Sequence, residues 1–453
     1  MIINELLIEN VRCFARREII EIKPITLLVG KNSTGKTTLL ATLAALSAGK
    51  PLLFRPDFNV GPFNLGSFDN IVTNFDGKGG KKNYINLGVL GVYEETEFIY
   101  LAEYKKHKRE LGPILNKAIL KAKIMRMAIR RNSADKFTVE FHFSKDGTNI
   151  YDKLAWNNIA NPEKRKLKRF SHTFDVPIET FNMMTPDALL YPIITGSLED
   201  IKREKSEKEI QTINKIKDNL PVFGFPFEFP QLASGTLNVA PIRSKPERTY
   251  ETYKKKVTSE GTHIPFLIEA DSRTKKTLLI NALNEFGKTS GLYTLLDVKQ
   301  LGSPKGNRFE LMVSINGPGR NIVDVGYGVS QVLPVIVEAL QCPDGAIMTL
   351  QQPEVHLHPE AQAAIGTLLA VIAGDRDKAF VIETHSDFIV DRIRIEISKG
   401  NIKPDDVSVL FLDLKDDSAA VNRLRLNEKG TFVRQPASYR DFFLREAHDL
   451  LRK

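Results

Sequence analysis

The stretch GKNSTGKT, Gly30 to Thr37, carries the residue types that a polyphosphate requires. Its spacing, G-x-x-x-x-G-K-[ST], puts two glycines, a lysine and a hydroxyl into one short loop. Gly30 and Gly35 permit a tight backbone curl that a Cβ would oppose. The N–H groups of Asn32, Ser33, Thr34 and Gly35 can then converge on phosphate oxygens at a helix N-terminus, where the helix dipole favours negative charge. Lys36 offsets phosphate charge, and Thr38 continues the same turn into the helix. The Thr37 hydroxyl suits Mg²⁺, a hard ion that prefers oxygen ligands. The expected cofactors are ATP and Mg²⁺.

Three later segments could complete such a site. DVGYGVSQVLP, Asp324 to Pro334, sets Gly328 and Ser330 just before an apolar helix. That is either a second helix N-terminus aimed at an anion or an ordinary helix cap. An apolar strand then ends in Gln351, Gln352, Pro353 and Glu354, and another ends in Glu383, Thr384, His385 and Ser386. Groups at the carboxyl ends of strands beside a phosphate loop can reach the metal and the attacking water. His356 and His358 would share a face in an extended segment, but no third ligand is evident, which favours structural or supporting roles over metal binding. Adjacent His385, Ser386 and Asp387 cannot form a hydrolytic triad, because neighbouring side chains cannot make the needed mutual hydrogen bonds.

The elements that position these residues read as α/β. Strands are expected at 2–9 and 18–29, then 84–104, 137–143, 293–299, 307–315, 345–351, 378–383 and 407–413. Helices are expected after the phosphate loop and at 264–287, 329–341 and 358–373. Between Gly112 and Asn132 the apolar residues fall at helical spacing, with Lys117, Lys121, Lys123, Arg126, Arg130 and Arg131 opposite them, which predicts a basic amphipathic helix. Residues 161–235 read as irregular, with an exposed helix at Glu199–Lys217 and a Pro/Phe-rich loop at Pro221–Gln231.

With 453 residues the chain can hold one large α/β domain with an insertion, or two modest domains. No apolar run is long enough for a membrane span, the N-terminus lacks a basic signal region, and the two cysteines form no CxxC pair. A cytoplasmic protein with no membrane partner is expected. The net charge of +9 is concentrated: residues 101–170 hold 18 Lys/Arg against seven Asp/Glu. This segment reads as a DNA or RNA surface, as a docking face for an acidic protein, or as a plain solvated insertion.

Taken in order, these segments resemble the ABC-type ATPases of the RecF, SMC and OLD group, and most of all the standalone bacterial AAA family ATPases found in anti-phage operons. IENVRCF, LGSFDNI (Leu65–Ile71), VAPIRSKPERTY (Val239–Tyr250), GYGVSQVLP, QQPEVHLHP and ETHSD carry the likeness, over residues 1–75 and about 235–435. The resemblance implies an ABC-ATPase head, with a P-loop and a mixed sheet flanked by helices on both faces, carrying a basic α+β insertion. Residues 1–100 and 236–453 would form the head and 101–235 the insertion. It implies a homodimer, with any higher oligomer left open by the sequence, in which ATP held by Gly30–Thr38 of one copy is completed by Gly328 and Ser330 of the other. His385 would contact the γ-phosphate, and Arg12 or Phe14 would lie near the adenine.

One departure matters. The family places an acidic residue and then Glu or Gln before the proline, whereas this chain has Gln351 at the metal-side position and Gln352 at the base position. An amide cannot take a proton from water near neutral pH. Glu354 is the nearest remaining carboxylate. The chain is therefore expected to bind ATP and to hydrolyse it slowly or not at all. No nuclease set follows the head, so a separate effector such as a nuclease is the expected partner of an anti-phage sensor or scaffold. The alternative is a RecF-like DNA repair or maintenance ATPase. Roughly 300 residues separate the phosphate loop from Gln351, too many for a compact metabolic kinase.

Overall fold

The computed structural model describes residues 2–48, 56–74, 82–93, 96–107, 110–122, 125–133, 136–143, 170–177, 236–251, 257–274, 276–302, 308–375, 378–436 and 439. The chain divides into two compact units. One comprises Met1–Ile20, Ala45–Phe58 and Leu65–Gly235; the other comprises Glu21–Ala44, Asn59–Asn64 and Thr236–Lys453.

The N-terminal elements are β1 (Ile2–Glu9), β2 (Glu18–Glu21), β3 (Ile25–Gly30), α1 (Lys36–Ala48) and the single turn α2 (Phe68–Ile71). The expected strand over 18–29 is two strands. Pro24 has no N–H to give a ladder, and the Lys23 N–H turns to the Thr26 hydroxyl at 2.9 Å. As a result β2 and β3 join different sheets.

Then come β4 (Tyr84–Tyr93), β5 (Thr96–His107), β6 (Glu110–Ala122), β7 (Met125–Ser133), β8 (Lys136–Phe143) and β9 (Phe170–Pro177). With β1 and β2 they form an eight-stranded sheet in the order β2-β1-β4-β5-β6-β7-β8-β9. The basic helix expected over Gly112–Asn132 is thus an antiparallel strand pair, with Lys117 opposite Arg130 and Lys121 opposite Arg126. Helical and strand periodicities coincide here. In a strand Ala118 and Leu120 take one face while Lys117, Ile119 and Lys121 take the other, and pairing lets Ile119 and Ala128 bury against Leu7 and Leu101 between the basic residues. An isolated helix would leave that apolar stripe in water. Within the region expected to be irregular, 170–177 is a strand; the helix expected at Glu199–Lys217 and the loop at Pro221–Gln231 lie outside the described residues.

The second unit holds β10 (Thr236–Val239), β11 (Tyr250–Glu251), α3 (Ile264–Ser272), α4 (Leu278–Thr289), β12 (Leu295–Leu301), β13 (Arg308–Ser314), β14 (Arg320–Asn321), α5 (Tyr327–Gln341), β15 (Ile347–Gln351), α6 (Pro359–Asp375), β16 (Ala379–Glu383), α7 (Asp387–Ser398), β17 (Val407–Lys415) and β18 (Ser418–Leu424). The single helix expected over 264–287 is broken into α3 and α4. Ser272 and Thr274 hydroxyls donate back to the carbonyls of Glu269 and Asp271, and the Asp271 carboxylate accepts from Ile280 N–H. Short polar side chains there compete for the backbone and stop the helix.

A six-stranded sheet runs β10-β15-β16-β3-β17-β18, parallel throughout except for the last strand. Its β3 and β15 are nearly all buried, as central parallel strands should be. Ile25, Leu27, Leu350, Phe380, Ile382 and Val409 belong to one apolar cluster that also takes in residues of α5, α6 and α7. The expected fold class, an α/β P-loop head with a mixed sheet, is borne out. Among the described residues no helix is long and apolar enough to cross a membrane.

Candidate nucleotide site

β3 delivers the chain to Gly30, whose φ of +139° is open to glycine alone; a Cβ there would sit 2.2 Å from the Leu412 carbonyl oxygen on β17. Ser33 (φ 64°) and Gly35 (φ 103°) are also left-handed, so the loop curls back on itself. The Thr34 hydroxyl donates to the Lys31 carbonyl at 2.9 Å, closing the curl. Asn32 and Ser33 are exposed, while Thr34, Lys36 and Thr38 are buried. The Lys36 ammonium donates to the carbonyls of Gly30 (2.9 Å) and Lys31 (2.6 Å), which aims it into the loop. Burial lowers its pKa, and the nearby carboxylates of Glu383 and Glu354 work against that shift. The loop thus runs from the end of β3 into the first turn of α1, where Lys36, Thr37 and Thr38 stand.

The Thr37 hydroxyl faces both carboxylate oxygens of Glu383, at 3.0 and 2.9 Å. Glu383 ends β16, the strand lying between β3 and β15. It is 5% exposed. Burial raises its pKa; the Thr37 hydroxyl, the Lys36 charge and a hydrogen bond from Gln351 hold it down. Gln351, the last residue of β15, pairs in register with Glu383. A carboxylate only accepts, so the Gln351 amide N–H faces it, and Gln351 Oε1 is buried with no hydrogen-bond partner. Thr37 Oγ1, the Glu383 carboxylate and Gln351 Oε1 thus offer hard oxygen donors in one place, and the unmatched Oε1 fits a site that takes a hydrated cation. Mg²⁺ held there by Thr37 would neutralise phosphate charge.

Gln352 follows in a left-handed conformation (φ 43°), its N–H donating to the Glu383 carbonyl at 2.8 Å. Glu354 accepts the His385 backbone N–H at 2.7 Å through Oε1, while its Oε2 is buried and unpartnered. Its pKa is raised by burial, against the His385 N–H and the Arg243 charge. His385 is exposed. Its pKa is lowered by burial of part of the ring and by Lys36, so the imidazole is neutral near pH 7. Ser386 caps α7, accepting from Ile389 N–H at 3.2 Å and donating to Gln362 at 2.6 Å. Gln351, Glu354, Glu383 and His385 are therefore brought to the phosphate-loop end of the sheet from positions more than 300 residues away.

At the tip of α5, Gly328 packs so closely that a Cβ would lie 2.9 Å from the His356 carbonyl oxygen. Ser330 is 8% exposed, and its hydroxyl donates to the Tyr327 carbonyl at 2.8 Å, one turn back. Its N-cap residue is Gly326, with no side-chain cap. The two histidines have structural contacts: the His356 ring lies edge-on to Tyr327 with centroids 5.2 Å apart, and His358 Nδ1 faces Ala361 N–H at the start of α6. In the other unit Phe14 is fully buried, and Arg12 donates to the Asn70 carbonyl at 3.3 Å.

Two residues gain importance that sequence reading did not give them. Arg243 is 2% exposed and donates to the carbonyls of Gln331, Gln351 and Gln352. Burial pulls its pKa down to about 10, with Glu354 opposing. Glu383 was noted only as the end of a strand. The signal that could have singled it out is an acid at a neighbouring strand end where the usual acid is an amide.

A comparison with curated proteins returns no match. Among solved structures the chain is similar to the SMC head domain from Thermotoga maritima, at 10% identity over 94% of this chain and 100% of that one, with a TM-score of 0.40. It is also similar to the Smc head domain with an extended coiled coil bound to the C-terminal domain of ScpA, from Pyrococcus furiosus, at 12% identity over 100% of each chain and a TM-score of 0.39. The family model described as AAA ATPase domain matches residues 1–390. That span covers the phosphate loop, both glutamines, Glu383 and His385, and the chain belongs to the AAA ATPase domain family.

Proposed function

We propose that the protein is an ABC-type ATPase that works as a nucleotide switch: two copies close over ATP, and loss of the γ-phosphate releases them. The observation that supports this most is the joining of two surfaces in one protomer. Arg243 ties the Gln331 carbonyl in the first turns of α5 to the strand end that bears Gln351 and Gln352. A helix tip offered to a partner's nucleotide would thereby feel the protomer's own site. In this reading Lys36 and the loop N–H groups hold phosphates, Thr37 holds Mg²⁺, His385 contacts the γ-phosphate, and Gly328 with the exposed tip of α5 completes the partner's site. Ser330 supports the tip through Tyr327 rather than meeting the nucleotide with its hydroxyl.

Turnover is slow because Gln352 stands where a base is needed, and Glu354 is engaged by the His385 backbone. A slow switch suits a sensor or scaffold that holds a separate effector, such as a nuclease, in a bacterial anti-phage complex. The order of motifs from Gly30 to His385 supports that setting. Residues 1–100 and 236–453 would act as the head and 101–235 as the partner-binding region.

Sedimentation velocity with and without ATP tests the switch. A shift from monomer to dimer is expected with ATP in the wild type and not in Lys36→Ala. A wild type that binds ATP yet keeps one sedimentation coefficient would sink it.

A RecF-like reading, with direct DNA or RNA binding, draws support from one sheet face. Lys117, Lys121, Arg126 and Arg130 flank the Ile119–Ala128 pair on the same face of β6 and β7. Lys117 is partly offset by Glu103 at 3.1 Å. Binding through this face would weaken steeply as salt rises. A flat salt response of the chain alone would leave the protein-partner reading in place.

A further inference from the structure

We infer that Glu383, not a residue of the strand that normally carries it, supplies the carboxylate facing the Mg²⁺ of this site. The inference rests on the ATP-site reading above and names the residue that makes metal binding possible despite Gln351.

The difficulty it resolves is one of charge. Mg²⁺ at a phosphate loop is held by the loop hydroxyl and steadied by a protein carboxylate. The last residue of β15 is the amide Gln351, which brings no negative charge. One strand over, the last residue of β16 is Glu383, in register with Gln351. Neighbouring strands lie only about 4.8 Å apart. β16 also stands between β15 and β3, so Glu383 is a strand closer to the loop than Gln351 is. Its carboxylate meets the Thr37 hydroxyl with both oxygens, and Thr37 is the loop residue suited to the metal. The amide of Gln351 is turned with its N–H toward Glu383, and its buried Oε1 has no partner. Glutamate at both positions would set two carboxylates side by side in register, which is unfavourable. Glutamine at 351 with glutamate at 383 avoids that repulsion and keeps one charge.

A merely structural role, in which Glu383 only positions Thr37, predicts something different. Glu383→Gln keeps an acceptor for the Thr37 hydroxyl but removes the charge. The test measures affinity for a fluorescent ATP analogue with Mg²⁺ and with EDTA, alongside Mn²⁺ binding by electron paramagnetic resonance. In the wild type, Mg²⁺ should tighten the analogue. In Glu383→Gln the affinity in EDTA should stay as it was, while the gain from Mg²⁺ and the affinity for Mn²⁺ should each fall at least tenfold. The exchanged double variant, Glu383→Gln with Gln351→Glu, should recover most of the metal gain.

A Glu383→Gln protein that keeps its full metal gain overturns the proposal, even if turnover falls, because the carboxylate would then serve the water and not the metal. Equal losses with Mg²⁺ and EDTA also overturn it, as a structural role would produce them. An exchanged variant that stays at the Glu383→Gln level overturns it as well. A wild type that binds the analogue in neither condition would instead overturn the ATP-site reading itself.

Discussion

Arg243 reaches the Gln331 carbonyl at 3.2 Å with one guanidinium nitrogen while the other touches the carbonyls of Gln351 and Gln352 at 3.3 and 3.2 Å. Three carbonyls, two in buried bonds and one half-buried, share this one side chain, and none of the three bonds involves a carboxylate. Arg243→Met would leave them without their donor and should cost about 3 kcal/mol of stability. It should also lower ATP-driven dimerisation more than ATP affinity, since the loop itself is untouched. Thermal melts and sedimentation velocity on the same variant measure the two effects.

Gly30→Ala should fail for a reason that has nothing to do with phosphate contacts. The added Cβ would meet the Leu412 carbonyl oxygen at 2.2 Å, in a conformation that non-glycine residues avoid. A loss of about 3 kcal/mol or more is expected, against about 1 kcal/mol for Gly400→Ala, where φ is +79° but nothing lies within 4 Å. Urea unfolding of both variants separates backbone strain from steric contact.

If Gln352 stands at the base position as proposed, turnover should rise when a carboxylate replaces it. Gln352→Glu keeps the length of the side chain and the left-handed backbone, and an increase of at least tenfold in ATP hydrolysis is expected. If phosphate release from Gln352→Glu matches the wild type, the amide is not what limits the rate.

Glu396 gives the fold an acid-sensitive anchor away from the site. Its carboxylate is buried on α7 and accepts from Thr367 (3.0 Å), Asn401 (2.6 Å) and Lys399 (3.1 Å). Burial alone would raise its pKa, but the bonds from Asn401, Lys399 and Thr367 outweigh that and lower it. A carboxylate with a lowered folded-state pKa stabilises the protein above its ordinary pKa, and the benefit is lost as pH falls through the lowered value. Glu396→Gln should therefore be less stable than the wild type by about 2 kcal/mol at pH 7. The gap should narrow below about pH 4. Denaturant midpoints at the two pH values check this.

What could be read from the sequence was what local chemistry dictates. Gly30 to Thr37 announced the loop because each residue type has a separate reason to be there. The buried strands ending at Gln351 and Glu383 were legible as short apolar runs. The pair β6 and β7 was not. Apolar residues from Ile114 to Ile129 satisfy a helical stripe and a strand alternation at once, and only the long-range burial of Ile119 and Ala128 against Leu7 and Leu101 decides between them. The break between α3 and α4 was missed because the Asp271–Thr274 side chains stop the helix by bonding to backbone groups, which hydrophobic spacing does not register. At the site, the segment holding Arg243 was legible as a resemblance and Glu383 as a strand end, but not what either one bonds, since that depends on which strand ends become neighbours.

The level alignment of Gln351 on β15 with Glu383 on β16 has a wider implication for how such a site can change. If Glu383 serves the metal as proposed, parallel strands that finish at the same height form a rack on which one acidic group could hang from either peg. On that reading, searches that demand an acid at one fixed peg would overlook relatives whose acid hangs on the next.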